Sequence, residues 1–201
     1  MSPGAAEERA TLDLFTIGHS NHTIERFVGL LQRHGITALA DVRSTPYSRF
    51  NPQFNRERLA DSLRGAGIAY VFLGEELGGK RAGVSHAEIA ASTAFRRGLD
   101  RLREGAAQYR VAFMCAEREP LDCHRTMLVA RHLRAPDIAI HHILASGEIE
   151  EHASVERRLV EDMGVAPPPL MAADPKAWAE AVERAYDART AKWGKSANSS
   201  R

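Results

Sequence analysis

The chain has 201 residues, of which 44% are hydrophobic, and a formal net charge of +1. That length suits one domain with a terminal appendage, and the composition is ordinary for a globular protein with a buried core. The near-zero charge excludes a global field steering the chain to nucleic acid or an anionic membrane, although Arg43, Arg49, Arg118 and Arg125 leave room for a local basic patch.

Residues 1–10 are small and acidic, without the basic-then-apolar order of a secretory leader, and read as a disordered tail. No apolar run reaches the roughly eighteen residues of a membrane span, so no membrane partner is expected and the expected compartment is the cytoplasm. Residues 12–17 form a first strand ending at Gly18. Asn21 or Thr23 can cap a helix in which Ile24, Phe27, Leu30 and Leu31 make one apolar stripe, and Gly35 stops it. Residues 36–42 form a second strand, with Asp41 and Arg43 at its exit. Pro46 and Pro52 make 44–55 a loop. A helix over 56–64 carries Leu59 and Leu63 inward, and 68–73 is a third strand.

Residues 74–92 read as a long loop with a short helical piece near 87–91, and loops of that length are often functional. Phe95, Leu99, Leu102 and Ala106 mark another helix, 109–114 a fourth strand, 117–122 a loop and 124–133 a helix. A fifth strand over 138–144 places His141 and His142 on opposite faces, so they are not a chelating pair. Val155, Leu159, Val160 and Met163 mark a further helix. Pro167, Pro168 and Pro169 then make a stiff linker before a last helix marked by Trp178, Val182 and Tyr186, with 195–201 as a flexible tail.

Strand and helix alternate throughout. The expected fold is a single three-layer α/β domain, with a mostly parallel sheet of about five strands, helices on both faces and a C-terminal helix. The divisions are 1–10 as tail, 11–165 as the α/β domain, and 166–201 as linker, helix and tail. In such sheets, loops leaving the carboxyl ends of strands carry the site.

The chemistry-bearing residues fall on those loops. Cys115 and Cys123 are the only cysteines. A structural disulfide is not expected in a cytosolic chain, and structural zinc usually takes thiolate pairs at closer spacing. Cys123, His124 and Arg125 stand near a helix start, where the dipole and backbone N–H groups favour thiolate. Cys115 or Cys123 is therefore a candidate nucleophile, and His19 or His124 a candidate acid or base. Ser20 and Asn21 offer donors and acceptors, or simply cap the next helix. Asp41 and Arg43 are an anion clamp or an internal ion pair. Tyr47 and Arg49 suit a nucleobase or nucleotide. Glu75, Glu76 and Glu117 are candidate acid, base or ligand groups, and Arg125 a candidate anion holder.

Thr16 to Ser20, Asp41 to Pro46, Phe72 to Gly79, and Cys115 to Glu117 with Cys123 to Arg125 resemble the bacterial and archaeal family called domain of unknown function 488. The likeness covers about residues 12–152 and implies a fold class and a set of candidate positions. A weaker likeness is to rhodanese-type domains, where Asp-Val-Arg follows one strand and a cysteine loop another. It implies sulfur or phosphate transfer, but the segment from Cys115 to Arg125 is longer than their anion cradle, contains Pro120 and lacks glycine.

Three functions follow. A thiol-dependent enzyme would act on a small anionic molecule or nucleotide. A nucleotide- or nucleic-acid-binding protein would use Tyr47, Arg43, Arg49 and Arg125. A metal-dependent hydrolase ranks last: His19, Cys115, Cys123, His124, Glu75 and Glu117 offer ligand types without tight spacing. No cofactor is expected, and the sequence does not set the oligomeric state.

Overall fold

The structure, a computed structural model, describes the backbone of residues 11–198 and the side chains of residues 11–192. The expected tail at 1–10, and residues 199–201 of the tail expected over 195–201, lie outside the described residues. Alternating apolar residues form β1 (Leu12–Gly18), which sends Leu14 to one face of the sheet and Phe15 and Ile17 to the other. Of the two expected caps, Thr23 serves α1 (Ile24–Arg33): its Oγ1 accepts from the Arg26 N–H at 3.2 Å. Then follow β2 (Ala38–Asp41), α2 (Arg56–Gly65) and β3 (Ala69–Phe72).

The stretch expected to be a long loop with a short helical piece near 87–91 holds an unexpected short helix, α3 (Gly74–Leu77), and the expected piece as α4 (His86–Ala91). One turn of helix is too short to show periodicity. Packing sustains α3: a Cβ on Gly98 would meet Leu77 Cδ2 at 2.7 Å, and Glu76 pairs with Arg101 at 2.6 Å. Gly98 and Arg101 belong to α5 (Thr93–Ala106), which leads to β4 (Val111–Cys115). Beyond β4, a π-helical stretch, Arg125–Ala130, runs into α6 (Arg131–Leu133), where one regular helix was expected. Last come β5 (Ile138–Ile143), β6 (Ile149–Glu151), α7 (His152–Met163) and α8 (Pro175–Asn198), so α8 continues into the segment read as a tail.

The six strands lie in the order β3-β2-β4-β1-β5-β6. All pairs are parallel except β5 with β6, a short hairpin that adds a strand to the five expected. Three residues are too few to reveal alternation. One face of the sheet packs α1 and α2 through Phe27, Leu31, Leu59 and Leu63; the other packs α5 and the 125–133 helix through Phe95, Leu102, Leu128 and Leu133. Chain exits therefore diverge around β4. Its neighbours β1 and β2 lead into helices on one face, whereas β4 leads to the other, which opens the crevice where α/β sheets place their sites.

A third cluster joins α7 and α8 to Leu121 and Met127. A buried polar chain ties it to the sheet. Thr16 Oγ1 lies 2.9 Å from His142 Nδ1, His142 Nε2 2.9 Å from His152 Nδ1, and the Tyr186 hydroxyl 3.3 Å from His152 Nε2. His141 faces the other way, toward Asp13 and Glu151. Among the described residues, no helix is long and apolar enough to cross a membrane.

Phe113, fully buried on β4, anchors the α5 side of the core. Phe113→Ala should lower unfolding free energy by about 3–5 kcal/mol. Urea denaturation should show this as a reduced midpoint at unchanged slope.

Candidate metal centre

The alternation of β4 places Val111, Phe113 and Cys115 on the α5 face, so Cys115 enters the core at the strand tip. The chain then loops through the 3-10 turn Pro120–Asp122 and returns Cys123 beside it. Gly18 makes this return possible, since a Cβ there would meet the Glu117 carbonyl oxygen at 1.9 Å. The Arg125 guanidinium, wholly buried, fixes the loop by donating to the carbonyls of Glu117 at 2.5 Å and Arg118 at 3.1 Å. From outside, Arg158 of α7 pairs with Glu119 at 2.8 Å, and Arg189 of α8 pairs with Asp122.

The result is a tetrad. Cys115 Sγ, Cys123 Sγ, a Glu117 carboxylate oxygen and a His124 ring nitrogen all lie within 4.8 Å of one another. Glu117 Oε2 accepts from Cys115 Sγ at 2.8 Å and from Cys123 Sγ at 3.1 Å, and His124 Nδ1 lies 3.2 Å from Cys115 Sγ. The other face of the imidazole is committed: Nε2 lies 2.8 Å from the Val42 carbonyl oxygen. A carbonyl only accepts, so Nε2 carries the proton and donates, and Nδ1 turns its lone pair toward the sulfurs. A metal-binding histidine commonly has its tautomer fixed in this way.

The members of the tetrad shift one another's protonation. Burial first, then Cys123 and Glu117, push the Cys115 thiol well above its ordinary range. Burial opposes ionisation of Cys123 too, but the hydrogen bond with Cys115, the Arg125 charge and His124 bring it below its ordinary range. For His124 burial is outweighed by Cys123, the Val42 bond and Glu117, and its pKa rises. The donor set of two sulfurs, one imidazole and one carboxylate fits a zinc-class ion. Tetrahedral bonds of about 2.0–2.3 Å put ligand atoms roughly 3.5 Å apart, close to the spacings found.

A second polar cluster occupies the opposite face. Asp41, wholly buried, accepts from Arg43 Nε at 2.9 Å, Arg43 Nη2 at 2.6 Å and the Tyr70 hydroxyl at 2.9 Å. Arg43 also donates to the Phe54 carbonyl at 2.8 Å and to His19 Nε2 at 3.2 Å. His19 stacks on Phe54 and donates from Nδ1 to the Ser20 carbonyl at 2.8 Å, which the left-handed backbone of Ser20 (φ 48°) turns toward the ring. Asp41 and Arg43 thus form an internal pair that tethers the following loop. The two clusters share the sheet edge: the His19 N–H donates to the Cys115 carbonyl at 2.9 Å.

The remaining residues singled out in the sequence lie elsewhere. Ser20 bonds Asn21 at the surface, Tyr47 bonds Glu57 of α2, Arg49 and Glu75 are exposed, and Glu76 is held by Arg101. Two features escaped the sequence reading. The Val42 carbonyl has no side-chain signature. Lys80 and Arg81 line a cavity of about 660 Å³ together with Glu117 and His124, and their signals were the length of the 74–92 segment and the Gly78–Gly79 pair before them.

His19 provides a pH test of the second cluster. Burial, aided by the charge of Arg43, holds its pKa at about 4, below the ordinary 6.5. The unfolded state therefore binds the proton first, and this contribution to stability is present above pH 6.5 and lost as pH falls toward about 4. In His19→Gln the stability loss between those limits should be shallower by about one proton, measured by urea melts at several pH values. Equal slopes would refute a neutral, buried His19. Asp41→Ala, which strands Arg43, should cost about 3–5 kcal/mol in the same assay.

Comparison with known protein families matches residues 23–132 to the domain of unknown function DUF488. No curated protein and no solved structure matches the chain. The matched segment runs from the cap of α1 through the tetrad to α6, and the chain belongs to the DUF488 family.

Proposed function

We propose that this chain is a metal-dependent hydrolase, with a zinc-class cation held by Cys115, Cys123 and His124 and with Glu117 at the fourth, exchangeable position. The observation that carries the reading is the tetrad itself, with His124 Nδ1 aimed at the sulfurs and Nε2 donating to Val42. Three protein ligands and one replaceable position is the pattern of catalytic sites, whereas structural sites are closed by sulfur and imidazole alone. Glu117 and His124 also line a cavity, as a catalytic site requires and a structural one does not.

A bound cation of this class would polarise a substrate oxygen or a water. Glu117 would take the proton from that water and return it to the leaving group. Its carboxylate is positioned for this by the Arg125 guanidinium, which donates to the Glu117 main-chain carbonyl at 2.5 Å. Thiol chemistry is the second reading, favoured by the lowered pKa of Cys123. Burial weighs against it: Cys115 is 3% exposed and Cys123 1%, and the tetrad members that line the cavity are Glu117 and His124.

Elemental analysis of protein purified without chelators should find about one zinc-class ion per chain. Folded Cys123→Ser and His124→Ala should lose it, because removing a ligand or its support weakens metal affinity by at least about 10–100-fold. Hydrolysis of p-nitrophenyl esters by the loaded protein should fall about 100-fold or more in Glu117→Gln, which removes the proton acceptor. A folded wild type that takes up no zinc, and whose thiols react quickly with iodoacetamide, would replace this reading with the thiol one.

A further inference from the structure

We propose that Lys80 and Arg81 recognise an oxyanion on the substrate, so that the cavity over the tetrad takes a small molecule bearing a phosphate or carboxylate group. This rests on the metal-centre reading and adds its substrate class. The argument begins with charge. Arg43 is engaged by Asp41, Phe54 and His19, and Arg125 by the Glu117 and Arg118 carbonyls. Both are buried, so neither is available to a ligand. Arg49 lies on a separate exposed loop.

Lys80 and Arg81 are different. Both line the cavity that Glu117 and His124 also line. Among the described residues, neither enters an ion pair. Arg81 is positioned without being neutralised: its Nη2 donates to the carbonyls of Glu75 at 2.7 Å and Glu76 at 3.0 Å, at the carboxyl end of α3. The Lys80 N–H donates to Ser44 Oγ at 2.8 Å, which fixes the backbone from which the ammonium extends. On the acidic side of the cavity, Asp122 is already paired with Arg189, and Glu117 belongs to the tetrad. The free charge facing an incoming ligand is therefore cationic.

The loop is built to bring these groups to the site. A Cβ on Gly79 would meet His124 Cβ at 2.6 Å, and one on Gly78 would meet the Gly74 carbonyl at 2.4 Å and Ser44 Oγ at 2.6 Å. Only glycines let the backbone cross the imidazole this closely. The chain then turns back through a bridge between Arg81 and Val84, with Gly83 at φ 71°. At about 660 Å³ the cavity suits a small molecule rather than a polymer surface. A metal cation, the anchored Arg81 guanidinium and the Lys80 ammonium around one group make an oxyanion-holding arrangement.

Cobalt-substituted protein separates this proposal from the reading beneath it. Co²⁺ bound through thiolates should give an intense near-ultraviolet band and visible bands, in wild type and in Lys80→Gln/Arg81→Gln alike. Titration with inorganic phosphate or acetate, at ionic strength held constant with chloride, should change the visible bands of the wild type saturably. In the double variant the apparent dissociation constant should rise at least about tenfold, since two charge-assisted contacts are lost. Whichever of the two anions acts identifies the group. A normal cobalt spectrum that neither anion alters, or that an anion alters with equal affinity in both proteins, overturns the oxyanion site alone. Absence of the thiolate band in wild type overturns the metal centre, and this inference falls with it.

Discussion

Two buried sulfurs gathered within 4.8 Å of a partly exposed carboxylate and imidazole impose the governing constraint on this molecule. In a low dielectric, negative charges of this density cannot coexist unless protons or a cation offset them. The surrounding chain supplies part of the answer. Arg125 lies beneath the loop, its backbone N–H reaches Cys123 Sγ at 3.4 Å, and Val42 fixes the tautomer of His124. The four ligand atoms are of types that a divalent transition ion accepts.

The fold holds this arrangement by placing β4 between two strands whose exits leave on the opposite face. The tip of β4 is therefore where backbone from three strands meets. The Met114 carbonyl accepts from the Val42 N–H at 3.1 Å and the Cys115 carbonyl from the His19 N–H at 2.9 Å, so displacement of either neighbour would disturb the sulfurs. The His19–Arg43–Asp41 cluster stiffens one side of that edge, and the tetrad occupies the other. The C-terminal helices complete the frame. Ala181, Ala185 and Tyr186 of α8 are fully buried, and Arg158 and Arg189 hold the site loop from outside.

Much of this architecture is legible in the linear pattern. Leu14, Phe15 and Ile17 alternate as a strand must, Phe27, Leu30 and Leu31 repeat as a helix must, and the order of such segments implies a parallel sheet. The family motifs mark the polar positions on the right loops. Less legible are elements without a period of their own. α3 exists because Gly98 lets Leu77 and Glu76 pack against α5, and β6 because it closes a hairpin on β5. Likewise, the Cys123 and His124 spacing after Cys115 matches no compact ligand motif, because a loop and two flanking elements, not a single helix, bring the groups together.

By itself the sequence determined the α/β alternation, the apolar faces and the placement of chemistry-bearing residues at strand ends, since these follow from short-range periodicity and local backbone preference. Tertiary structure alone decided which of those residues meet. It put Arg43 with Asp41 and His19, buried Arg125 under the loop, turned His124 by a carbonyl from another strand, and set Lys80 and Arg81 beside the cavity. Partnerships of that kind depend on strand order and on the face each crossover takes, and these are settled only when the whole sheet packs.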